Sequence, residues 1–281
     1  FASQPAMSIL NVAAYKFVDL DDLPALRTQL REAAAAQALK GTILLAPEGI
    51  NLFLAGVPEK LEAFLAQLLA DPRFAGMPVK RSYSAEQPFN RMLVKIKREI
   101  ITMRRPEIRP AQQPAPRIAP RELKRWLDEG REVVLLDTRN AFEVAVGTFE
   151  GAQELGLRSF SQFPAEVEKR LEDWRDKPVV TFCTGGIRCE KAAPLMQRLG
   201  FREVYQLDGG ILQYFEDCGG AHWRGECFVF DKRVALDPQL RETATTQCYA
   251  CQAVLTPEDQ QSPDYVVGVS CPKCAAQRRA A

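Results

Sequence analysis

Residues 12–17 alternate, with Val12, Ala14 and Lys16 on one side and Ala13, Tyr15 and Phe17 on the other, a period of two that predicts a strand. The period then lengthens to that of a helix through Leu23, Leu26, Leu30 and the alanine run near residue 35, with Asp21 and Asp22 available as N-caps. Thr42 to Leu45 reads as a second strand, Pro47-Glu48-Gly49 as a turn and Asn51 to Ala55 as a third strand. Pro58 stands at the favoured first-turn position of a helix through Leu61, Phe64, Leu65 and Leu68. Val79 to Tyr83 and Leu93 to Ile96 supply further strands. The order β-α-β-β-α-β predicts a ferredoxin-like (acylphosphatase-like) domain over residues 7–105. That fold names no function.

Pro106, Pro110, Pro114, Pro116 and Pro120 then fall within fifteen residues, a density that excludes a continuous helix or central strand, so residues 106–120 are expected to form an extended linker. Beyond it the pattern changes. Val133 to Leu136, Val179 to Phe182 and Val204 to Leu207 are continuous apolar runs, separated by helical stretches at Ala165 to Trp174 and Glu190 to Leu199. Buried strands alternating with helices predict a parallel α/β sheet over 121–217. Cysteine, glycine and proline punctuate a small tail over 218–281, and no internal repeat is evident. The expectation is an α/β (α+β multidomain) chain.

Length and composition agree with this division: 281 residues, 46% hydrophobic and 26% charged, exclude a disordered or fibrous chain. No apolar run approaches the ~18 residues of a membrane span, so no membrane partner is expected. The first methionine is Met7; Phe1 to Ala6 read as a remnant foreign to the native chain, with no secretory signal after it. The net charge of +1 conceals an asymmetry, because Arg91 to Arg125 holds eleven Lys or Arg against three Glu and the remainder is therefore net −7. Lys95, Lys97, Arg98, Arg104 and Arg105 are its densest part, a candidate surface for phosphates.

Cysteine and histidine change the picture most. All eight cysteines lie from Cys183 onward, and His222, beside Trp223, is the single histidine. Neither a two-histidine iron site nor a three-histidine zinc site can be built, so any chemistry is expected to run through sulfur. A cysteine-free stretch of 182 residues followed by clustered cysteines suits a metal-binding, reducing, cytoplasmic setting better than a disulfide framework.

The strand Val179 to Phe182 runs into Cys183-Thr184-Gly185-Gly186-Ile187-Arg188, with a helix predicted near Cys189. A cysteine at the carboxyl end of a parallel strand, followed by glycines and a helix start, sits where open α/β sheets hold ligands. Backbone N–H groups of such a loop converge on one point, the helix end is positive, and Arg188 adds a full charge. Together they favour a thiolate and allow a nucleophile without a histidine base.

These residues resemble the rhodanese pattern: Leu136-Asp137-Thr138-Arg139 with Glu143, the Cys183 to Arg188 loop, and Leu207-Asp208-Gly209-Gly210. The resemblance implies a persulfide-carrying loop cysteine at Cys183 and a six-residue cysteine-to-arginine arc; related dual-specificity phosphatases have one residue more. Where rhodaneses commonly have Gly-His-Ile-Pro-Gly-Ala, this chain has Gly147-Thr148-Phe149-Glu150-Gly151-Ala152. The run from Cys183 to Ala192, with Gly200 to Leu207, Gly225-Glu226-Cys227-Phe228-Val229-Phe230-Asp231 and Ala46-Pro47-Glu48-Gly49-Ile50-Asn51, is similar to the oxygen-dependent tRNA uridine hydroxylases. That family implies a ferredoxin-like amino-terminal domain, a rhodanese domain, a cysteine-rich tail, tRNA as partner, molecular oxygen as co-substrate and 5-hydroxyuridine at the wobble position as product.

Cys248-x-x-Cys251 and Cys271-x-x-Cys274 are spaced as two zinc knuckles, predicting a closed four-thiolate structural Zn2+ site in a zinc-ribbon-like tail. Cys218 and Cys227 lack a pairing spacing and are expected to be buried, with replacement of a metal ligand the alternative for either. The expected reactive centre is Cys183 and Arg188 with Thr184, Gly185, Gly186 and Ile187, supported by Asp137, Arg139 and Glu143; Cys189 either resolves an oxidised Cys183 or packs the helix. No organic cofactor is expected, while a sulfur donor or reductant protein is. The sequence sets no oligomeric state. Two other functions stay open: a rhodanese-type sulfurtransferase using a Cys183 persulfide, and a non-catalytic RNA-binding module.

Overall fold

The computed structural model describes residues 9–280 and divides them into two compact units, one up to Ala115 together with Glu190–Arg198, the other Pro116–Cys189 with Leu199–Ala281. Phe1 to Ala6, Met7 and the start of the first expected domain lie outside the described residues.

In the first unit, β1 (Ile9–Phe17), β2 (Lys40–Ala46), β3 (Gly49–Gly56), β4 (Val79–Ser84) and β5 (Met92–Ile96) form one sheet in the order β4-β1-β3-β2-β5. The first four are antiparallel neighbours and β5 adds in parallel to β2, so the ferredoxin-like order carries one extra edge strand. Helices α1 (Leu23–Ala36) and α2 (Pro58–Ala70) set Leu26, Leu30, Leu61, Phe64 and Leu65 into a core with Leu10, Ile43, Leu52 and Leu54. Asp22 does occupy the N-cap position of α1, but its left-handed backbone (φ 47°) leaves its side chain without a capping hydrogen bond. Capping by a carboxylate works from the extended region, which explains the difference.

The stretch expected as an extended linker is packed and turned. Ile108, Pro110 and Ala115 are buried in the first unit, and Arg117–Ile118 form the short strand β6 of the second. The second unit continues with α3 (Pro120–Asp128), β7 (Val134–Asp137), α4 (Ala141–Val144), β8 (Gly147–Phe149), β9 (Gln153–Glu154), α5 (Phe163–Glu168) and α6 (Leu171–Trp174). It proceeds through β10 (Pro178–Phe182), β11 (Glu203–Leu207) and α8 (Gly210–Cys218), while α7 (Ile187–Leu199) starts and ends in this unit and gives Glu190–Arg198 to the first. The sheet β6-β11-β10-β7-β9 is parallel throughout, as continuous apolar strands demand. One helix expected over Ala165 to Trp174 is two, broken at Lys169–Arg170, where the Arg170 N–H bonds the Val167 carbonyl three residues back at 2.9 Å.

The tail does not begin as a separate module. After α8, β12 (Trp223–Gly225) pairs antiparallel with β8, and Phe149 becomes the hub of an aromatic core, 5.0 Å from Phe182, 4.7 Å from Tyr214 and 5.1 Å from Trp223 between ring centroids. Edge-to-face packing of this kind adds to the area each ring buries. Then come two small hairpins, β13 (Cys227–Phe228) with β14 (Ala235–Leu236) and β15 (Thr246–Gln247) with β16 (Val254–Leu255), and the helices α9 (Pro257–Gln261) and α10 (Pro272–Ala280).

Candidate active site

Strand β10 ends at Phe182, and Cys183 opens the turn into α7, its side chain fully buried. Gly186 donates its N–H to the Cys183 Sγ at 3.1 Å, so the loop closes back on the sulfur. A second turn holds the loop from beneath: Ile211 N–H reaches the Cys183 carbonyl at 2.9 Å, and Leu212 N–H the Thr184 carbonyl at 3.1 Å. A Cβ on Gly210 would come within 2.5 Å of that Cys183 carbonyl, and φ there is +67°, so this approach requires glycine. The Asp208-Gly209-Gly210 turn is thereby a part of the cysteine loop's support. Thr184, Gly185 and Ile187 are half-buried on the loop, and a Cβ at Gly185 would meet nothing within 4 Å, which leaves that flank open.

Burial opposes ionisation of Cys183, but the Cys189 thiol, the Arg188 charge and the backbone N–H groups of Arg188 and Cys189 outweigh it and bring the thiol down to about 6. Cys189 moves the opposite way: its own burial, then its hydrogen bond to Cys183, hold it well above the ordinary thiol range. Its sulfur lies 3.7 Å from the Thr138 hydroxyl. One of the two sulfurs is therefore a thiolate near neutral pH and the other a thiol.

Arg188 is fixed by α4. Glu143 accepts from its Nη1 at 2.6 Å and its Nη2 at 2.9 Å, with the arginine side chain 7% exposed and the carboxylate fully buried. A further hydrogen bond to Glu143, from Asn140 N–H at 3.0 Å, ties the carboxylate to the start of its own helix. Asp137 and Arg139, expected beside Glu143, do not touch the sulfur. They form their own buried pair at 2.6 Å, closed by Thr148 Oγ1 donating to Asp137 and by Arg139 Nη2 donating to the Gly147 carbonyl. This brace joins β7 to β8, with Thr148 at the position where rhodaneses commonly have histidine. Cys227 is buried nearby, and burial, partly offset by Arg139, pushes its thiol up to about 12. Cys218 is half-buried, and His222 Nε2 stands 2.7 Å from Asp128 Oδ1, far in role from the loop.

In the tail, the sulfur atoms of Cys248, Cys251, Cys271 and Cys274 all lie within 4.8 Å of one another. Cys251 and Cys271 are 3.6 Å apart, close to the edge of about 3.8 Å expected for a tetrahedron with zinc–sulfur bonds of about 2.3 Å. Cys271 stands immediately before α10 and Cys274 in its first turn, while Cys248 and Cys251 lie in the turn after β15. This donor set suits a closed, soft-ligand metal site.

In the first unit, Lys97, Arg98, Arg104 and Arg105 line a cleft of about 840 Å³, joined by Arg109. Lys95 is exposed on β5 but does not line the cleft. Arg105 and Arg109 have acidic neighbours, Glu107 at 3.8 Å and Asp19 at 3.6 Å, whereas no salt bridge is formed by the Lys97, Arg98 or Arg104 side chains among the described residues. The cleft rests on a buried lysine that residue type alone does not single out. Lys191 Nζ meets Glu99 at 2.6 Å, Glu48 at 2.9 Å and the Ile101 carbonyl at 2.8 Å. Glu99 also accepts from the Met103 and Arg104 N–H groups, which holds Arg104 at its left-handed φ of 62°. The sequence signals this staple only in that Glu48 lies in the Ala46 to Asn51 motif and Lys191 in the Cys183 to Ala192 motif.

No helix among the described residues is long and apolar enough to cross a membrane. Residues 9–100 match the UPF0176 acylphosphatase like domain and residues 119–217 the rhodanese-like domain. A thiosulfate sulfurtransferase of Pseudomonas aeruginosa is 25% identical over 39% of this chain and 20% of that one, at a TM-score of 0.33, too low to carry weight. Full-length similarity carries more. The tRNA uridine(34) hydroxylase of Cupriavidus taiwanensis is 60% identical over 95% of this chain and 97% of its own. Those of Cupriavidus necator and Ralstonia nicotianae are 58% and 56% identical, over 97% and 98% of this chain and 98% and 100% of theirs. The chain belongs to the tRNA uridine(34) hydroxylase family.

Proposed function

We propose that this protein is an oxygen-dependent oxidoreductase that hydroxylates C5 of uridine 34 in tRNA, with Cys183 as its reactive sulfur. The observation that carries this reading is the 60% identity, over nearly the whole of both chains, to a protein named for that reaction. The geometry of the loop agrees with it: a buried sulfur biased to thiolate, with one fixed cation beside it.

Uracil C5 reacts poorly until a nucleophile adds at C6. In the proposed sequence the Cys183 thiolate adds there, C5 becomes enolate-like and takes up an oxygen-derived electrophile, and loss of the C5 proton expels the thiolate. One atom of O2 enters the product, the other leaves as water, and a thiol-class reductant supplies two electrons with two protons. A Cys183 persulfide that carries the oxidant is the variant of the same scheme. Arg188 and the loop N–H groups stabilise negative charge on sulfur. Thr184, Gly185, Gly186 and Ile187 shape the cradle, Glu143 positions Arg188, and Asp137 with Arg139 braces the strand ends behind it. Cys189 resolves an oxidised Cys183.

Lys97, Arg98, Arg104 and Arg105 contact tRNA phosphates, with Lys95 contributing from the neighbouring strand. The four tail cysteines hold a structural zinc ion that supplies folding energy rather than catalysis. A tRNA substrate puts the work in the cytoplasm. The test is nucleoside analysis of tRNA from cells whose only copy is Cys183→Ser: 5-hydroxyuridine disappears if the reading holds, and normal levels without a parallel pathway overturn it. The sulfurtransferase reading is favoured by one feature, the six-residue cysteine-to-arginine arc. Thiosulfate and cyanide given to the purified protein decide it, since rapid thiocyanate release with no effect on tRNA supports that alternative.

A further inference from the structure

Beside the Arg188–Glu143 pair lie two phenylalanines that the core does not absorb, Phe142 and Phe230, packed on a third, Phe228, that it does. Phe142, the neighbour of Glu143, meets Phe228 at 5.1 Å and Phe230 at 6.5 Å between centroids, and Phe228 meets Phe230 at 5.0 Å, all edge to face. Phe228 is buried, yet Phe142 keeps 40% and Phe230 54% of its surface in water. The Arg188 guanidinium carbon is 6.0 Å from the Phe230 ring centroid. One guanidinium thus adjoins the buried carboxylate, the sulfur it polarises and an open aromatic ring.

Phe230 does not stand on a loose tip. Val229 N–H donates to the Val234 carbonyl at 2.8 Å and Val234 N–H to the Asp231 carbonyl at 3.0 Å. Arg233 and Asp231 lock the turn with contacts at 2.5 and 2.8 Å, their side chains only 11% and 8% exposed. A large ring held open to water forgoes the free energy of its burial. Fixed in one place by its turn, it has little conformational entropy left to lose on meeting a partner.

We infer that Phe230, backed by Phe228 and Phe142, is the platform on which the uracil of the target nucleotide stacks. The inference rests on the tRNA chemistry proposed above and adds the residue that positions its substrate. A flat ring with a guanidinium 6.0 Å over its centre has the chemistry that holds splayed single-stranded bases, which stack on aromatic faces and on arginine planes. Two half-open rings cover about one base, too little for a helix groove. A base reaching a sulfur that is itself buried must leave its neighbours in the strand, and a surface that replaces the lost stacking lowers the cost of that step.

The test uses the full chain and two anticodon stem-loop RNAs, one with uridine and one abasic at the target position. Wild-type protein binds the uridine RNA more tightly by about 5- to 150-fold. Phe230→Ala removes that preference and Phe230→Trp keeps it, while zinc content and Cys183 alkylation rate stay as in wild type and verify the fold. A Phe230→Ala protein that still prefers uridine overturns the platform, and so does a wild-type protein with no preference. Hydroxylation is read separately: a wild-type preference without hydroxylation sinks the catalytic reading and leaves the platform standing.

Discussion

Both carboxylate oxygens of Glu143 hold the guanidinium of Arg188, at 2.6 and 2.9 Å, and nine-tenths or more of each side chain is out of water. Removing either partner alone strands a buried charge. Glu143→Ala is expected to destabilise the rhodanese unit by about 3–5 kcal/mol, and the double variant Glu143→Leu with Arg188→Met by clearly less. Denaturant midpoints for the single and double variants check this. A double-variant loss equal to the sum of the two single losses would show that the pair is not coupled.

Cys183 should behave as an acidic thiol. With its pKa near 6, alkylation by a small reagent rises as pH passes upward through about 6 and is nearly maximal at pH 7.5. Below pH 5 the sulfur is protonated and slow. Arg188→Met removes the charge while burial remains, so the inflection moves upward by more than one pH unit. Rate–pH profiles followed by peptide mass spectrometry read both, and Cys189, held as a thiol, stays largely unmodified over the same range.

Metal analysis of protein prepared without chelator should give about one zinc per chain. A strong chelator, or Cys271→Ser, is expected to expose residues 246–280 to protease while leaving the Cys183 alkylation profile unchanged. Loss of the Cys183 profile together with the metal would tie the tail to the loop instead.

The basic cleft predicts a salt signature. Every phosphate that the protein no longer neutralises flattens the slope of log affinity against log salt by about 0.7–0.9. Arg104→Ala with Arg105→Ala should therefore lower the slope by about 1–2. Lys95→Ala, outside the cleft, should have less effect. Binding titrations at several salt concentrations measure it, and an unaltered slope in the double variant rules out a phosphate-binding role for these two arginines.

The chain's own pattern determined a good deal. Alternation and helical spacing announced β1 to β4 in the ferredoxin-like order, and apolar runs announced the parallel strands β7, β10 and β11, because those periods report which face each residue buries. Cysteine position and spacing marked the loop at Cys183 and the four tail thiols, since both chemistries depend on neighbours close in sequence. What only the tertiary structure decided is the pairing of residues far apart. Arg188 meets Glu143 forty-five positions away, Lys191 meets Glu48 and Glu99, and Phe230 meets Phe142. Local pattern also missed that the proline-rich stretch packs and donates β6, because a two-residue strand has no period to read. Charge and residue type are written in the chain. The balance of burial, charge and hydrogen bonding that leaves Cys183 a thiolate and Cys189 a thiol arises only where distant segments exclude water together.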